Sequence, residues 1–242
     1  MKKGFLAGML VVSLSSPAWS GPADYIYVPA VEYGEREVDF KYGSASFDSA
    51  PTMQAASVGL GYGARPWWFT ELYAKFKHEN GRKFLDAFEW ENKFQLTETG
   101  RYPLDAGLIV EFERPQDRAE GYEVKLGPLL QTEFGRLQLN ANVLVEHIFD
   151  SRDSNGTELG YQWQAKYRWR ERLEFGVQGF GEVGDWTDWA PRREQNHRFG
   201  PAIFGRFLLH GRQAIRYNAA LLQGLTKGSP DLTFRAQVEY EF

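Results

Sequence analysis

The sequence predicts an all-β protein, a transmembrane antiparallel up-and-down β-barrel of twelve strands. The composition favours strands and tight turns, with 18 Phe, 12 Tyr, 8 Trp and 25 Gly among 242 residues. Apolar and polar residues alternate with a period of two along most of the chain. The connections between these alternating segments are long and short in turn. Beyond the N-terminus the chain lacks the apolar runs of about 20 residues that a helical membrane protein requires.

The N-terminus predicts a secretory signal peptide over residues 1–20. Lys2 and Lys3 give a positive start, and an apolar stretch over residues 5–14 follows. This stretch is too short to span a bilayer. Small residues then precede Gly21, as expected at a cleavage site.

Residues 21–34 precede the first alternating segment and include Tyr25 and Tyr27. We expect them either to plug the barrel or to lie in the periplasm. No low-complexity linker interrupts residues 35–242, so the barrel is predicted there as one domain. The absence of Cys excludes disulfides and thiolate sites. The net charge of −4 and the lack of a basic run argue against a nucleic-acid partner.

Strict alternation defines the twelve predicted strands. In the last of them, Leu232, Phe234 and Val238 share one face, and Arg235 and Glu239 share the other. The predicted strands span residues 35–46, 54–63, 67–77, 84–97, 104–113, 122–133, 137–149, 159–169, 173–183, 198–209, 214–225 and 231–242.

The apolar faces distinguish a membrane barrel from a soluble β-sandwich. Within the segments these faces carry no charged residue, apart from Arg36 and Asp86 at the rims, although 25% of the chain is charged. A charge facing lipid at the bilayer midplane would cost about 2–4 kcal/mol. A soluble sandwich would instead have to bury more aromatic bulk than a chain of this length can pack. We therefore expect the apolar faces to contact lipid and the polar faces to line a lumen.

The connections support the same topology. Odd-numbered connections are long and polar, whereas most even-numbered connections are three or four residues long. Outer-membrane barrels have short periplasmic turns and longer extracellular loops, so both chain termini are predicted on the periplasmic side.

Three positions conflict with a regular barrel. Gly127-Pro128 and Gly200-Pro201 fall inside strands, where proline cannot donate to the ladder, and we expect β-bulges there. Asn92 falls on the lipid-facing parity in the middle of a strand. A local shift of register would remove that conflict.

The end of the chain resembles the C-terminal signature of bacterial outer-membrane proteins. Val238, Tyr240 and the terminal Phe242 supply its alternating apolar and aromatic residues. Together with the signal peptide and the alternation, this signature makes the chain similar to small porin-like barrels of Gram-negative bacteria. The resemblance implies insertion by the barrel-assembly machinery and contact with outer-membrane lipids.

Charged residues of both signs are predicted to line the lumen. Two interpretations remain open, a network of ion pairs that fills a narrow barrel and a transverse field across a pore. The predicted lumen-lining residues are Lys75, Glu89, Glu91, Glu111, Glu123, Lys166, Arg168, Arg198, Arg206, Arg216 and Arg235.

The longest predicted loop, residues 184–197, contains candidates for a constriction. Trp186, Trp189, Arg192 and Arg193 would form it if the loop folds inward. An ordinary surface loop is the alternative.

These features predict a passive channel for small polar or charged solutes, with no cofactor, no metal and no catalytic residue. The first alternative is a lipid hydrolase, because some twelve-stranded outer-membrane barrels have a Ser/His site at the outer leaflet. His147 with Ser151 or Ser154 would form such a site, but no nucleophile motif surrounds them. The second alternative is a closed barrel with a structural or adhesive role.

Overall fold

A computed structural model describes residues 21–48, 50–79, 82–152 and 155–242. The predicted signal peptide, residues 1–20, lies outside the described residues. Each predicted strand is present, with every boundary within two residues of the predicted one. The strands are β1 (Arg36–Ser46), β2 (Met53–Arg65), β3 (Trp68–Glu79), β4 (Arg82–Gln95), β5 (Asp105–Pro115), β6 (Tyr122–Phe134), β7 (Leu137–Phe149), β8 (Thr157–Arg170), β9 (Leu173–Asp185), β10 (Asn196–Leu208), β11 (Ala214–Gly224) and β12 (Leu232–Glu241).

The strands form one closed barrel in which each pairs antiparallel with its neighbours in sequence. β1 pairs with β12, from Glu37 opposite Glu241 to Ser46 opposite Leu232, and this pairing closes the sheet. Closure gives every strand two partners and leaves no free edge. The predicted up-and-down barrel is therefore confirmed.

Helical structure is minor in the described residues. The helix found there is a single 3-10 turn, Arg118–Glu120, in the connection between β5 and β6. No helix in this part of the chain is long and apolar enough to cross a membrane.

The alternation places polar side chains inside and apolar side chains outside. On β12, Thr233 and Arg235 are buried in the lumen, while Phe234 and Val238 are exposed on the outer surface. Large apolar residues are exposed in the same way on the other strands. Such an outer surface suits lipid rather than water.

The barrel has a short-turn end and a long-loop end, and the start of β1 and the end of β12 both lie at the short-turn end. Tight turns at residues 66–67, 135–136 and 171–172 join strands at the short-turn end. Two connections depart from the prediction. The one over residues 96–104, at the short-turn end, is long, and only two residues separate β3 from β4 at the opposite end.

The structure accounts for one polar residue on the lipid-facing parity. The register between β3 and β4 shifts between Lys75 and Phe76, which pair with Ala87 and Leu85, so Asp86 is the extra residue of a bulge. Its carboxylate turns to the lumen and lies 2.8 Å from Lys77 Nζ.

No bulge is present at either Gly-Pro pair, so that prediction is wrong. The register of β6 with β7 is the same on both sides of Gly127-Pro128, and that of β10 with β11 is the same on both sides of Gly200-Pro201. Each Gly-Pro pair interrupts the ladder of hydrogen bonds to one neighbouring strand only. The reason is that proline has no backbone N–H to donate. Glycine is required beside it: a Cβ at Gly200 would lie 2.0 Å from the Leu221 carbonyl oxygen.

Candidate functional site: the lumen

Residues 21–34 run through the lumen from the long-loop half to the short-turn end. Pro22 lies against the backbone of Gly43, beyond the midpoint of β1 towards the long-loop end. At the other end the Val31 N–H donates to Gln95 Oε1 (2.7 Å), and Glu32 pairs with Arg212 (2.9 Å). The segment thus lies inside the barrel, along its axis.

An apolar pocket inside the lumen holds Ile26. Its buried neighbours, from β9, β10 and β11, are Phe180, Ala202, Phe204, Ala220 and Leu222. All of them lie on the predicted polar parity, where water or charge was expected. Burying one such side chain contributes about 1.5–3 kcal/mol.

A second pocket, on the wall formed by β5, β6 and β7, holds Tyr27. Ile109, Leu129 and Leu144, from β5, β6 and β7, are buried against it. Asn142 Nδ2 also donates to the Tyr27 carbonyl oxygen at 3.0 Å. Side-chain packing and a backbone hydrogen bond therefore fix the same residue.

Tyr25 links the segment to the charged part of the lumen. Its hydroxyl donates to Glu91, and its ring lies 3.4 Å from Lys41 Nζ. Lys41 also lies 3.6 Å from the Tyr73 ring centroid and 3.3 Å from Asp39 Oδ2. One ammonium group is thus held between two aromatic rings and a carboxylate.

A cavity of about 690 Å³, which we call the chamber, lies between this segment and the short-turn end. Residues 25–28 and 30–32 form part of its wall. Its other lining residues are mostly polar, among them Gln138, Gln164, Asn218 and Gln237. The second cavity, about 20 Å³, lies beyond Tyr27 in the long-loop half. The segment therefore separates the chamber from the long loops.

Ion pairs in the chamber join strands that are one or two positions apart in the barrel rather than opposite walls. Arg168 contacts Glu133 (2.6 Å), and Lys166 contacts Glu174 (3.3 Å). Arg206 lies 2.9 Å from Glu241, which Arg216 also contacts.

Glu35 lies just before β1 and also lines the chamber. Burial raises the pKa of its carboxyl group.

A second group of charges lies in the long-loop half. Lys75 contacts Glu89 (3.0 Å) and Glu113. Lys125 contacts Glu111 (2.9 Å) and Glu146 (3.5 Å). These contacts match the interpretation of an ion-pair network, since each ammonium group lies between two carboxylates.

The carboxylates of Glu89, Glu91 and Glu111 lie together, with one oxygen of each within 4.8 Å of the others. This spacing suits a cation, but each carboxylate already has a protein donor. Lys75 contacts Glu89, Tyr25 contacts Glu91, and Lys125 contacts Glu111.

The predicted lumen-lining residues all lie on strands whose polar faces point inward. Arg235 contacts Gln178 and lies 2.7 Å from Asn218 Oδ1, and Arg198 lies 3.9 Å from Glu182. Glu123 is half-buried on β6. The sequence reasoning missed the apolar pockets for Ile26 and Tyr27, although large apolar residues on the polar parity are a signal that could have located them.

The predicted loop constriction is not present. Trp186 and Trp189 are 57% and 60% exposed, and Arg192 and Arg193 are exposed as well. Asp185 Oδ1 accepts from the N–H groups of Thr187 and Asp188, which fixes a turn. Backbone contact from Gly228 to Arg193 then ties the loop to the neighbouring connection. The lumen is filled by residues 21–34 instead.

The hydrolase candidate His147 lies at the long-loop end of β7. Its Nδ1 is 2.6 Å from Thr157 Oγ1 on β8, and its ring packs against Phe149. Ser151 lies in the following connection, and Ser154 lies outside the described residues.

The barrel is similar in fold to solved outer-membrane channels. The COG4313 outer membrane channel from Pseudomonas putida F1 matches with a TM-score of 0.64 and 13% identity, over 90% of this chain and 98% of that one. The NanC porin matches with a TM-score of 0.57 and 9% identity, over 86% and 98%. No family model and no curated protein matches the chain. The fold is thus that of an outer-membrane channel-type barrel.

Proposed function

We propose that the protein is a passive outer-membrane channel for small polar or charged solutes, whose lumen is gated by residues 21–34. The observation that supports it is the chamber of about 690 Å³, lined by polar and charged side chains of both signs. Cavities of about 300–1,000 Å³ are typical of sites for small ligands. Charges of both signs along a pore allow a solute to bind weakly at several points, so that it can also leave the pore.

The gate follows from how residues 21–34 are held. Ile26 and Tyr27 pack into separate pockets, and no disulfide attaches the segment because the chain has no Cys. Its attachment is therefore noncovalent, and movement of one short segment would join the chamber to the long-loop side.

Location in the outer membrane is part of the same proposal. The outer surface carries the exposed apolar side chains expected of a lipid-facing barrel. The signal peptide over residues 1–20 would bring the chain to the periplasm, and the short-turn end would face that compartment.

Planar-bilayer conductance tests the proposal. We expect small or infrequent conductance steps from the unaltered chain and steps several-fold larger or more frequent from Ile26→Asp. The aspartate would remove the apolar contacts that Ile26 makes with Phe180, Phe204 and Leu222 and would put a charge against these apolar side chains. A variant lacking residues 22–31 should behave in the same way.

Tyr33→Asp is the matched control. Tyr33 belongs to the same segment but is exposed, so this charge should leave conductance unchanged. Absence of conductance in the unaltered chain and in both opened variants would contradict the channel and support a closed barrel with a structural role. The occupied lumen is the observation that favours this second candidate.

A further inference from the structure

The cations of the chamber are largely neutralised by their own neighbours. Lys166 lies against Glu174, and Arg168 lies against Glu133. Arg206 and Arg216 share Glu241. The wall formed by β8, β10 and β11 therefore presents little uncompensated positive charge to a solute.

The adjoining wall, formed by β12, β1 and β3, carries an excess of carboxylates. Glu35, Glu37, Glu71 and Glu239 line the chamber, and within the described residues none of them forms an ion pair within 4.0 Å. They lie side by side in the sheet: Glu37 and Glu71 both pair with Gly61, and Glu239 pairs with Asp39 on β1. Two ammonium groups belong to this wall. Lys93 lines the chamber with its Nζ 4.9 Å from the Phe69 ring centroid, and Lys41 of β1 lies 3.3 Å from Asp39.

Glu71 has a buried carboxylate oxygen in this wall that accepts no hydrogen bond within the described part of the chain. Its side chain lines the chamber, the residue is 3% exposed, and Oε1 has no hydrogen-bond partner in the described part of the chain. Oε1 lies over Gly59 of β2, where a Cβ would come within 2.5 Å of it. A buried carboxylate oxygen without a donor is destabilising, because it has lost its hydrogen bonds to water. A ligand with N–H groups would supply the missing donor.

The lumen already holds ammonium groups by the contacts that such a ligand would use. Lys41 lies between the rings of Tyr25 and Tyr73 and beside Asp39. Lys166 Nζ lies 5.5 Å from the Phe204 ring centroid as well as against Glu174. Tyr73 and Phe204 also line the chamber. Aromatic rings beside carboxylates favour organic ammonium ions over anions.

We propose that the chamber binds small organic amines in their ammonium form, with Glu37, Glu71 and Glu239 as the anionic contacts, and that the channel is therefore cation-selective. The inference rests on the proposed function, because it names the solute class of the same passage. An excess of fixed carboxylates raises the local concentration of cations and lowers that of anions.

Calorimetric titration of the purified full-length barrel with putrescine tests the binding site without requiring conductance. We expect putrescine to bind and free glutamate not to bind. Glu71→Gln and Glu239→Gln should each weaken putrescine binding about tenfold, since each removes one charge-assisted contact. Glu98→Gln, in the exposed turn after β4, is the matched control and should bind like the unaltered barrel. Altered mobility on heating before electrophoresis verifies that each variant is folded.

The reversal potential in a KCl gradient tests selectivity. We expect potassium to permeate better than chloride in the Ile26→Asp channel, and Glu71→Gln or Glu239→Gln in that background should reduce the ratio at least twofold. Absence of putrescine binding, equal affinity in all variants, or preference for chloride would overturn the amine site while leaving the channel intact. Binding without any conductance would overturn the channel and retain the site.

Discussion

Asn92 lies on the outer face of β4 but is buried under neighbouring side chains, two of them tryptophans. Its Oδ1 accepts from Trp68 Nε1 (3.0 Å) and from Thr70 Oγ1 (3.1 Å), and Trp90 Nε1 donates to Thr70 (2.8 Å). The register is regular here, with Thr70 opposite Asn92, so no shift turns the amide inward. In lipid these donors have no water to bind, and Asn92 supplies their acceptor.

We expect Asn92→Leu to lower the free energy of unfolding by about 1–3 kcal/mol, although it makes the outer surface more apolar. The indole N–H of Trp68 would lose its acceptor, and that loss exceeds what the apolar contacts of a leucine at this covered position add. Urea titration of the barrel refolded into lipid vesicles measures the change. Val110→Leu, at the position opposite Asn92 on β5, is the control and should be nearly neutral. Higher stability of Asn92→Leu would contradict the role of the amide.

Single residues also show why the sequence alone does not decide whether residues 21–34 plug the barrel. The polar parity of β9 includes Phe180, and that of β11 includes Leu222, which the alternation treats as exceptions. The structure brings them together on Ile26. An apolar side chain on a lumen face predicts an internal apolar partner, but alternation within one strand does not identify that partner.

At the level of elements, the strands follow from local pattern. Alternation predicts all twelve within two residues because a strand with lipid on one side and polar groups on the other must change polarity at every residue. The effect of the Gly-Pro pairs does not follow from local pattern. Whether the ladder bulges or only loses a hydrogen bond depends on how closely the neighbouring strand approaches, and the sequence of one strand does not contain that distance.

We expect Gly200→Ala to lower the free energy of unfolding by about 1–3 kcal/mol. Its Cβ would meet the Leu221 carbonyl oxygen at 2.0 Å, so β10 and β11 would have to separate. Thermal unfolding in detergent measures the change. Ala219→Val, on the outer face of β11 and opposite Ile203, is the control and should have little effect. Equal stability of Gly200→Ala would contradict the close approach.

On the scale of the whole molecule, β12 closes the barrel, and its last residues face outward. Val238 and Phe242 are exposed on the outer surface, and Tyr240 stacks on Phe242 at 5.6 Å between ring centroids. The Phe242 N–H donates to the Arg36 carbonyl oxygen (2.8 Å). The Phe242 side chain therefore adds little to the core of the barrel, and we propose that it acts in assembly instead.

Deletion of Phe242 should separate assembly from stability. We expect the amount of folded protein in the outer membrane to fall several-fold, while refolding of the purified chain into detergent proceeds as before. Membrane fractionation and heat-dependent electrophoretic mobility measure the two effects. Deletion of one residue from the exposed connection over residues 96–104 is the control. Equal loss in cells and in detergent would indicate a structural role instead.

The sequence by itself determined the strands, their number, their two faces and the charge of most residues on the lumen faces. These features are local, because lipid and water act on each residue separately. The tertiary structure decided what occupies the lumen. Residues 21–34 lie there because apolar side chains from β5, β6, β7, β9, β10 and β11 converge on Ile26 and Tyr27. It also decided which charges are neutralised, since ion pairing depends on distances between strands: Arg206 and Arg216 meet Glu241, while Glu71 has no such partner among the described residues.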